Sequence, residues 1–327
     1  DVRGLTVSYL TADADDPVLK TNNPGIKPFY INILLPMLMQ FMNPKVFIMT
    51  MPDLNQYHIK KSTNPVHYVY IFHSLVSTTM MYQKGAFDHY DTIFCCGPHH
   101  VREIRKTEEL YSLPPKTLIE AGYYRLERIY KAAEHIEPDP KTILIAPSWG
   151  KNNILESLGI KLTGILLESG YKVIVRPHPE TIRRSPETIE IIDNLYKNNK
   201  NFTLENSVST DDSLLKSALL ICDCSGVALE YAFGTGRPVL FIDVPYKIKN
   251  PDYEITATDP IELSLRTAIG TVIKPENIDS IAVNVQNLIE RKQDYSRIIK
   301  ETRDNFVYNF GKSSVIEAEY ILNLLKK

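Results

Sequence analysis

Short apolar runs alternate with segments of helical spacing along almost the whole chain, and this alternation restricts the fold more than any other feature. Each apolar run has the β-branched and aromatic content of a buried strand. Examples are VHYVYIFHS (Val66–Ser74) and DTIFCCG (Asp91–Gly97) in the first half, and TILIAPS (Thr142–Ser148) and RPVLFIDVP (Arg237–Pro245) in the second. Strands that are joined through helices pair in parallel, so the sequence predicts an α/β protein with parallel sheets flanked by helices.

A proline-rich break divides the alternation into two halves. The stretch HIEPDPKT (His135–Thr142) contains two prolines and no apolar stripe, which is typical of a linker. The chain has 327 residues, a length that suits two domains of ordinary size. We therefore predict an N-terminal domain at 1–137 and a C-terminal domain at 138–327, with the last helices packing back on the first domain.

Charge and cysteine content exclude several classes of protein. The 37 Lys and Arg residues are balanced by 39 Asp and Glu residues, so there is no basic field for nucleic acid and we expect no nucleic-acid partner. The cysteines form an adjacent pair, Cys95 and Cys96, and a spaced pair, Cys222 and Cys224, which do not match zinc spacing. We interpret them as reduced core thiols of a cytoplasmic protein.

The most apolar stretch, FYINILLPMLMQFMNPKVFIMTM (Phe29–Met51), raises the question of a membrane span. A spanning helix needs about 20 mostly apolar residues in succession. Five residues interrupt this stretch: Pro36, Gln40, Asn43, Pro44 and Lys45. We therefore predict a buried helix followed by a buried strand.

A histidine stands between two prolines just beyond a predicted strand in KVIVRPHPET (Lys172–Thr181). Ligands of open α/β sheets bind at the carboxyl ends of strands, which is where His178 lies. Each proline fixes its own φ and makes the preceding residue extended, so the loop holds His178 in place. Arg176 in the same loop has two open roles, an ion pair with a neighbouring carboxylate or a contact with a ligand phosphate.

A second candidate site is the turn in ICDCSGVALE (Ile221–Glu230), where a predicted strand passes directly into a helix. Such a turn directs free backbone N–H groups and the positive helix end at one point, which suits a diphosphate. We expect a donor molecule to be bound here by Asp223, Ser225 and Gly226, and Glu230 to accept from ribose hydroxyls. The alternative is a plain helix cap.

The loop SWGKNN (Ser148–Asn153) ends the first strand of the second half and is expected to face the same ligand. Ser148 and Lys151 are further candidates for donor binding, with Lys151 reaching a phosphate. A solvated lysine in a loop that enters a helix is the open alternative.

The first half offers its own histidines at strand ends. His73 and Ser74 end a predicted strand, and His99 and His100 follow the Cys-Gly-Pro turn after the next one. If the two halves face each other, His73 and His178 reach one ligand, and histidine suits proton transfer near neutral pH. We take Ser74, His99 and His100 as candidates for acceptor binding, although surface positions near a helix cap explain the last two equally well.

Four segments, in order, resemble the CDP-glycerol glycerophosphotransferases, the enzymes that polymerise teichoic acids, and their capsule-polymerase relatives. GYYRLERI (Gly122–Ile129) is similar to their G-x-P-R-x-D segment, and ILIAPSW (Ile143–Trp149) to their strand ending in A-P-T-W. RPHP resembles their histidine loop, and CDCSGVALEYAFGTGRPVLFID their S-D-Y-S-S segment with the strand that follows.

The resemblance implies two Rossmann-like domains facing across a cleft, the GT-B type of glycosyltransferase fold, and catalysis without a metal or other cofactor. It also implies that His73 is the general base and that His178 contacts the donor phosphates. Two departures leave the donor and acceptor open: Ser74 replaces the glycine that follows the family's histidine, and the family's next lysine is missing.

The expected function is transfer of a phosphopolyol or phosphoglycosyl unit from a diphosphate-activated donor of the CDP-glycerol or CDP-ribitol type. The acceptor is a hydroxyl on a growing cell-surface polysaccharide, either a glycan or a lipid-linked glycan. Open alternatives are a true glycosyltransferase that uses a CMP-sugar, a UDP-sugar or phosphoribosyl diphosphate, a sugar-nucleotide epimerase, and a non-catalytic binding module. The expected location is cytoplasmic, with peripheral association at the inner face of the membrane left open.

Overall fold

The computed structural model describes residues 5–207 and 210–326, and its strands pair in parallel in each of three sheets. A two-stranded sheet pairs β1 (Val7–Thr11) with β2 (Ile26–Tyr30). A four-stranded sheet runs in sequence order through β3 (Val46–Met49), β4 (His67–Ile71), β5 (Thr92–Cys95) and β6 (Thr117–Glu120).

The second half of the chain forms a six-stranded sheet in the order β12-β11-β10-β7-β8-β9. Its strands are β7 (Asp139–Ile145), β8 (Lys172–Val175), β9 (Phe202–Leu204), β10 (Ser217–Cys222), β11 (Val239–Ile242) and β12 (Gly270–Ile273). The central strands are apolar along their length because both faces are covered; Ile143, Leu144 and Ile145 are fully buried. The predicted α/β class with parallel sheets is confirmed.

Helices fill the connections between the strands. Their bounds are α1 (Leu35–Met39), α2 (Pro98–Leu110), α3 (Tyr124–Ala133), α4 (Ile154–Glu168), α5 (Pro179–Arg184), α6 (Pro186–Tyr196), α7 (Asp212–Lys216), α8 (Gly226–Thr235), α9 (Ile261–Ser264), α10 (Arg266–Ile269), α11 (Ile281–Glu290), α12 (Lys292–Phe306) and α13 (Ser313–Lys326). Short 3₁₀ turns occupy Pro17–Lys20, Tyr253–Thr256 and Pro275–Ser280.

The last helix returns to the first sheet. The ring of Tyr320 on α13 packs edge-on against Phe94 of β5, and its hydroxyl hydrogen-bonds Thr92 at 2.9 Å. At the other boundary, β7 begins at Asp139, inside the segment that the sequence marks as a linker. The second part of the predicted linker, from Asp139 to Thr142, is therefore a strand of the six-stranded sheet. The connection between the two sheets is shorter than the sequence predicted.

The predicted buried helix in the apolar stretch is wrong. Helix α1 has only five residues, with Pro36 in its first turn and without a side-chain cap, and only Met39 in it is buried. Ile33 and Phe41, on either side of the helix, are 88% and 72% exposed. A helix this short cannot bury a continuous apolar face. None of the described helices combines the length and apolar character needed to cross a membrane.

The front loop, residues 73–80 after β4, is held between the two halves by buried carboxylates. Glu262 of α9 accepts from the backbone N–H and the hydroxyl of Ser77, at 2.9 and 2.7 Å. Glu103 of α2 accepts from the same two groups of Thr78, at 2.6 and 2.7 Å. Both side chains are buried, so these hydrogen bonds hold the loop from both sides.

The pH dependence of stability reports on Glu103. Burial raises its pKa to about 8 from an ordinary value of 4.5, so the folded protein holds a proton that the unfolded chain has released. The contribution of protonated Glu103 to the free energy of unfolding is therefore complete below pH 4.5, and it is lost as the pH rises towards 8. We predict that Glu103→Gln, which cannot ionise, loses less Tm than the wild type between these pH values.

The matched control is Glu109→Gln, an exposed position on the same helix. It should keep the wild-type dependence of Tm on pH. Equal slopes for Glu103→Gln and the wild type would show that Glu103 does not titrate in this range.

Candidate active site

His73 is the first residue of the front loop and lies two residues beyond β4. Its backbone carbonyl accepts from the hydroxyl of Tyr123 at 2.8 Å, and its ring hydrogen-bonds the Thr50 backbone. Partial burial lowers the pKa of the imidazole, although the Thr50 bond opposes this. The ring is therefore neutral near pH 7 and has one nitrogen free to accept a proton.

His178 is the N-cap of α5 and comes from the opposite side of the cleft. Its Nδ1 accepts from the Glu180 backbone N–H at 3.0 Å, so the proton of the neutral ring is on Nε2. Burial and the charges of Lys247 and Lys249 lower its pKa to about 4. His178 is thus held as a neutral hydrogen-bond donor, and the charge near it comes from other residues.

Two lysines that the sequence reasoning missed supply that charge. Lys247 and Lys249 follow β11, and Lys247 Nζ lies 3.2 Å from the centroid of the Trp149 ring. Burial and the charge of Lys249 lower the pKa of Lys247 to about 7. The sequence feature that could have identified these lysines is the alternation Tyr-Lys-Ile-Lys beyond a buried strand. It lies at the edge of the sheet where ligands bind.

The charge of Lys249 lowers the pKa values of both His73 and His178, so it lies within electrostatic reach of both rings. Its backbone N–H donates to the Met80 carbonyl at 3.0 Å, which ties it to the end of the front loop. On the other side, Lys247 contacts the Trp149 ring, whose centroid lies 6.1 Å from that of the His178 ring.

Asp223 supports a neighbouring loop. Its two carboxylate oxygens accept from the Ser148 backbone N–H at 2.7 Å and the Ser148 hydroxyl at 2.9 Å, and it is buried. The predicted donor contact of Asp223 is thus replaced by a positioning role. Ser148 and Trp149 follow β7 on this loop, and Lys151 is exposed on the turn before α4.

The turn into α8 lies where the sequence places it. Ser225 is the N-cap residue but makes no side-chain cap bond, and it lies at the positive end of the helix. A Cβ at Gly226 would collide with Ser74 Oγ of the front loop, so glycine is needed for the two halves to approach. Ser74 therefore contacts the predicted donor turn directly.

Two predicted donor-binding residues are used in internal contacts. Arg176 is buried and forms the ion pair that the sequence left open, with its Nε 3.8 Å from a carboxylate oxygen of Glu205. It also donates to Ser213 Oγ at 3.1 Å and to the Thr210 carbonyl at 2.9 Å. Glu230 is buried and accepts from Tyr123 at 2.7 Å and from Arg125 at 3.0 Å, so its oxygens hold α3 instead of a ribose.

The predicted acceptor contacts of His99 and His100 are also wrong. Both rings are fully buried, and their Nε2 atoms hydrogen-bond the carbonyls of Leu75 and Val76 at 2.9 and 3.0 Å. These histidines hold the front loop from beneath, where no ligand reaches. The Cys-Gly-Pro turn starts α2 under the loop and not at the cleft surface.

The family model described as CDP-glycerol:poly(glycerophosphate) glycerophosphotransferase matches residues 77–324, most of the chain. The chain belongs to this glycerophosphotransferase family. The resemblance of the four motifs is confirmed, and the protein is a transferase. None of the curated protein sequences matches the chain.

Solved structures show the fold. The wall teichoic acid polymerase TagF, in a histidine-to-asparagine variant soaked with CDPG, is 17% identical, covers 99% of this chain and 82% of its own, and has a TM-score of 0.62. A putative UDP-N-acetylglucosamine 2-epimerase from Listeria monocytogenes is 13% identical, with coverage of 98% and 87% and a TM-score of 0.57. These likenesses establish the predicted GT-B type of fold for the glycerophosphotransferase.

A diphosphate bound beside Lys247 is expected to raise its pKa again, because the anion favours the charged lysine. At pH 8 most of the free protein has a neutral Lys247, so binding of CDP should take up close to one proton. We predict that calorimetric titrations in two buffers of different ionisation enthalpy reveal this uptake, and that Lys247→Arg abolishes it while still binding CDP.

Lys161→Arg, an exposed position on α4, is the control and should keep the uptake of the wild type. Proton uptake that persists in Lys247→Arg would assign it to another group.

Proposed function

We propose that this protein transfers glycerophosphate, or a closely related phosphopolyol, from its CDP-activated donor to the terminal hydroxyl of a cell-surface polymer. The observation that carries the proposal is the close approach of Ser74, the neighbour of His73, to Gly226 at the start of α8. It supports a base in the first half that acts on a donor held by the second half. The family match supports the donor and the acceptor class.

His73 is the proposed general base. Its free ring nitrogen takes the proton of the acceptor hydroxyl as that oxygen attacks the phosphorus that carries the polyol. The bond from this phosphorus to the bridging oxygen breaks, and CMP leaves with the electron pair. Proton transfer of this kind contributes about 10²–10⁴ in rate.

The leaving CMP gains negative charge, and the second half of the protein is suited to stabilise it. His178 donates from Nε2, while Lys247 and Lys249 supply positive charge. Ser225 and the first backbone N–H groups of α8 are proposed to bind the other phosphate. Fixed donors of this kind contribute roughly 10²–10³ each when they point at developing charge.

The two nitrogens of His178 have separable roles, which a pair of substitutions distinguishes. Asparagine can replace Nδ1 as the cap of α5 but has no atom at Nε2. Glutamine places an N–H near Nε2 but loses the cap. We predict that His178→Asn folds with wild-type Tm but loses at least about 10²-fold in kcat, and that His178→Gln retains more activity at a lower Tm.

CMP release from CDP-glycerol with a glycerol phosphate oligomer measures this activity. Parallel assays with CDP-ribitol, UDP-sugars and phosphoribosyl diphosphate identify the donor. Higher activity in His178→Asn than in His178→Gln would contradict the role given to Nε2, and turnover only with a UDP-sugar or phosphoribosyl diphosphate would contradict the proposed reaction.

We extend the proposal to the place of reaction, the cytoplasmic surface of a membrane that carries a lipid-linked acceptor. Apolar side chains in and beside α1 are exposed, among them Ile33, Met37 and Phe41, which recur every four residues. Between positions 20 and 61 the sequence has five lysines and one aspartate, of which Lys27 and Lys45 are exposed. Apolar contact together with basic charge favours an anionic bilayer.

The double variant Met37→Ser/Phe41→Ser should lose sedimentation with vesicles that contain phosphatidylglycerol, because each change removes apolar area from the bilayer contact. Val283→Ser, an equally exposed position on α11, should sediment like the wild type. Unchanged sedimentation of the double variant would exclude this face as the contact.

A further inference from the structure

A cavity of about 330 Å³ opens beside His73, on the side of the first sheet. Phe72 and His73 form one wall, Tyr124 and Arg125 at the start of α3 form another, and Glu317 of α13 completes it. This volume is at the lower end of the range for small-molecule sites. The cavity therefore suits one small unit next to the proposed base.

Glu317 carries a partly buried carboxyl group that a ligand could bind. Its carboxyl group has no hydrogen-bond partner within the part of the chain that the structure describes. Burial and the charge of Glu127 raise its pKa to about 7. Arg125, across the cavity, does not neutralise it, because the guanidinium bonds Glu230 at 3.0 Å and Asp211 at 2.9 Å.

Glu127, the nearest carboxylate, is itself engaged, since it accepts from the Ser313 backbone N–H at 3.0 Å. Hydroxyl groups of a ligand would satisfy Glu317 by donating to it. A phosphate monoester would instead add negative charge beside two carboxylates. The exposed ring of Tyr124 offers an apolar surface for the carbon chain of the same unit.

We propose that this cavity binds the terminal polyol or glycosyl unit of the acceptor and that Glu317 selects a chain that ends in free hydroxyls over one that ends in phosphate. The inference rests on the proposed function, because it assigns the acceptor side of the same reaction. In this proposal α13, which carries Glu317, contributes to the selection of the acceptor by the first half.

Direct binding separates this inference from the reaction itself. The probes are two glycerol phosphate oligomers of equal length, one ending in free hydroxyls and one in a phosphate monoester, titrated into the full chain with CDP present at pH 8. The wild type should bind the hydroxyl-ended oligomer at least tenfold more tightly. Glu317→Gln should weaken that oligomer about tenfold and reduce the preference.

Glu319→Gln is the matched control, since it is exposed on the same helix and lies outside the cavity lining. It should bind both oligomers like the wild type, and neither variant should have a lower Tm than the wild type.

Unchanged preference in Glu317→Gln, or failure of the wild type to bind either oligomer, would overturn the inference. CMP release from CDP-glycerol tests the proposed function separately. Turnover together with an unchanged preference in Glu317→Gln would leave the function standing and remove only this role. If the oligomers bind with the expected preference but CDP-glycerol is not turned over, the role of Glu317 stands and the proposed reaction is removed.

Discussion

The active site depends on how the front loop is held. Ser77 and Thr78 are consecutive residues, and each gives its backbone N–H and its hydroxyl to a buried carboxylate, Glu262 from the second half and Glu103 from the first. A buried carboxyl group without partners is costly, so both groups hold the loop where they lie. His73 begins this loop, and the two hydrogen bonds to Glu262 link the loop to the second half.

The cleft combines neutral imidazoles with lysines that are partly removed from water. Burial lowers the pKa values of His73, His178 and Lys247 alike, because it disfavours the charged form of each. In the proposed mechanism, an anionic donor raises the pKa of Lys247 again and increases its charged fraction. The same low polarity strengthens every hydrogen bond to the developing charge.

The sequence predicts the features that follow from strand ends. His73 follows a strand of the first sheet, whereas His178, Ser148 and Ser225 follow strands of the second, and a parallel sheet brings its own strand ends to one edge. The α/β class follows from the same alternation and is confirmed. Positions at strand ends and the fold class can be predicted because periodicity and chain direction determine them locally.

What the sequence could not predict depends on contacts between distant segments. His99 and His100 occupy the same kind of position as His73, yet the front loop covers them. Glu230 has the spacing for a ribose contact, but Tyr123 and Arg125, more than 100 residues away, occupy its oxygens.

The exposure of α1 likewise could not be read from its composition, since an apolar run indicates burial whether the covering surface is protein or something else.

The most direct test of the account is a crystal structure of His73→Asn, which lacks the base, with CDP-glycerol bound. The account predicts phosphate oxygens within hydrogen-bond distance of His178 Nε2 and Lys247 Nζ, with the polyol phosphorus facing position 73. A diphosphate bound away from His178, or a side chain at position 73 that no cleft connects to the phosphorus, would contradict it.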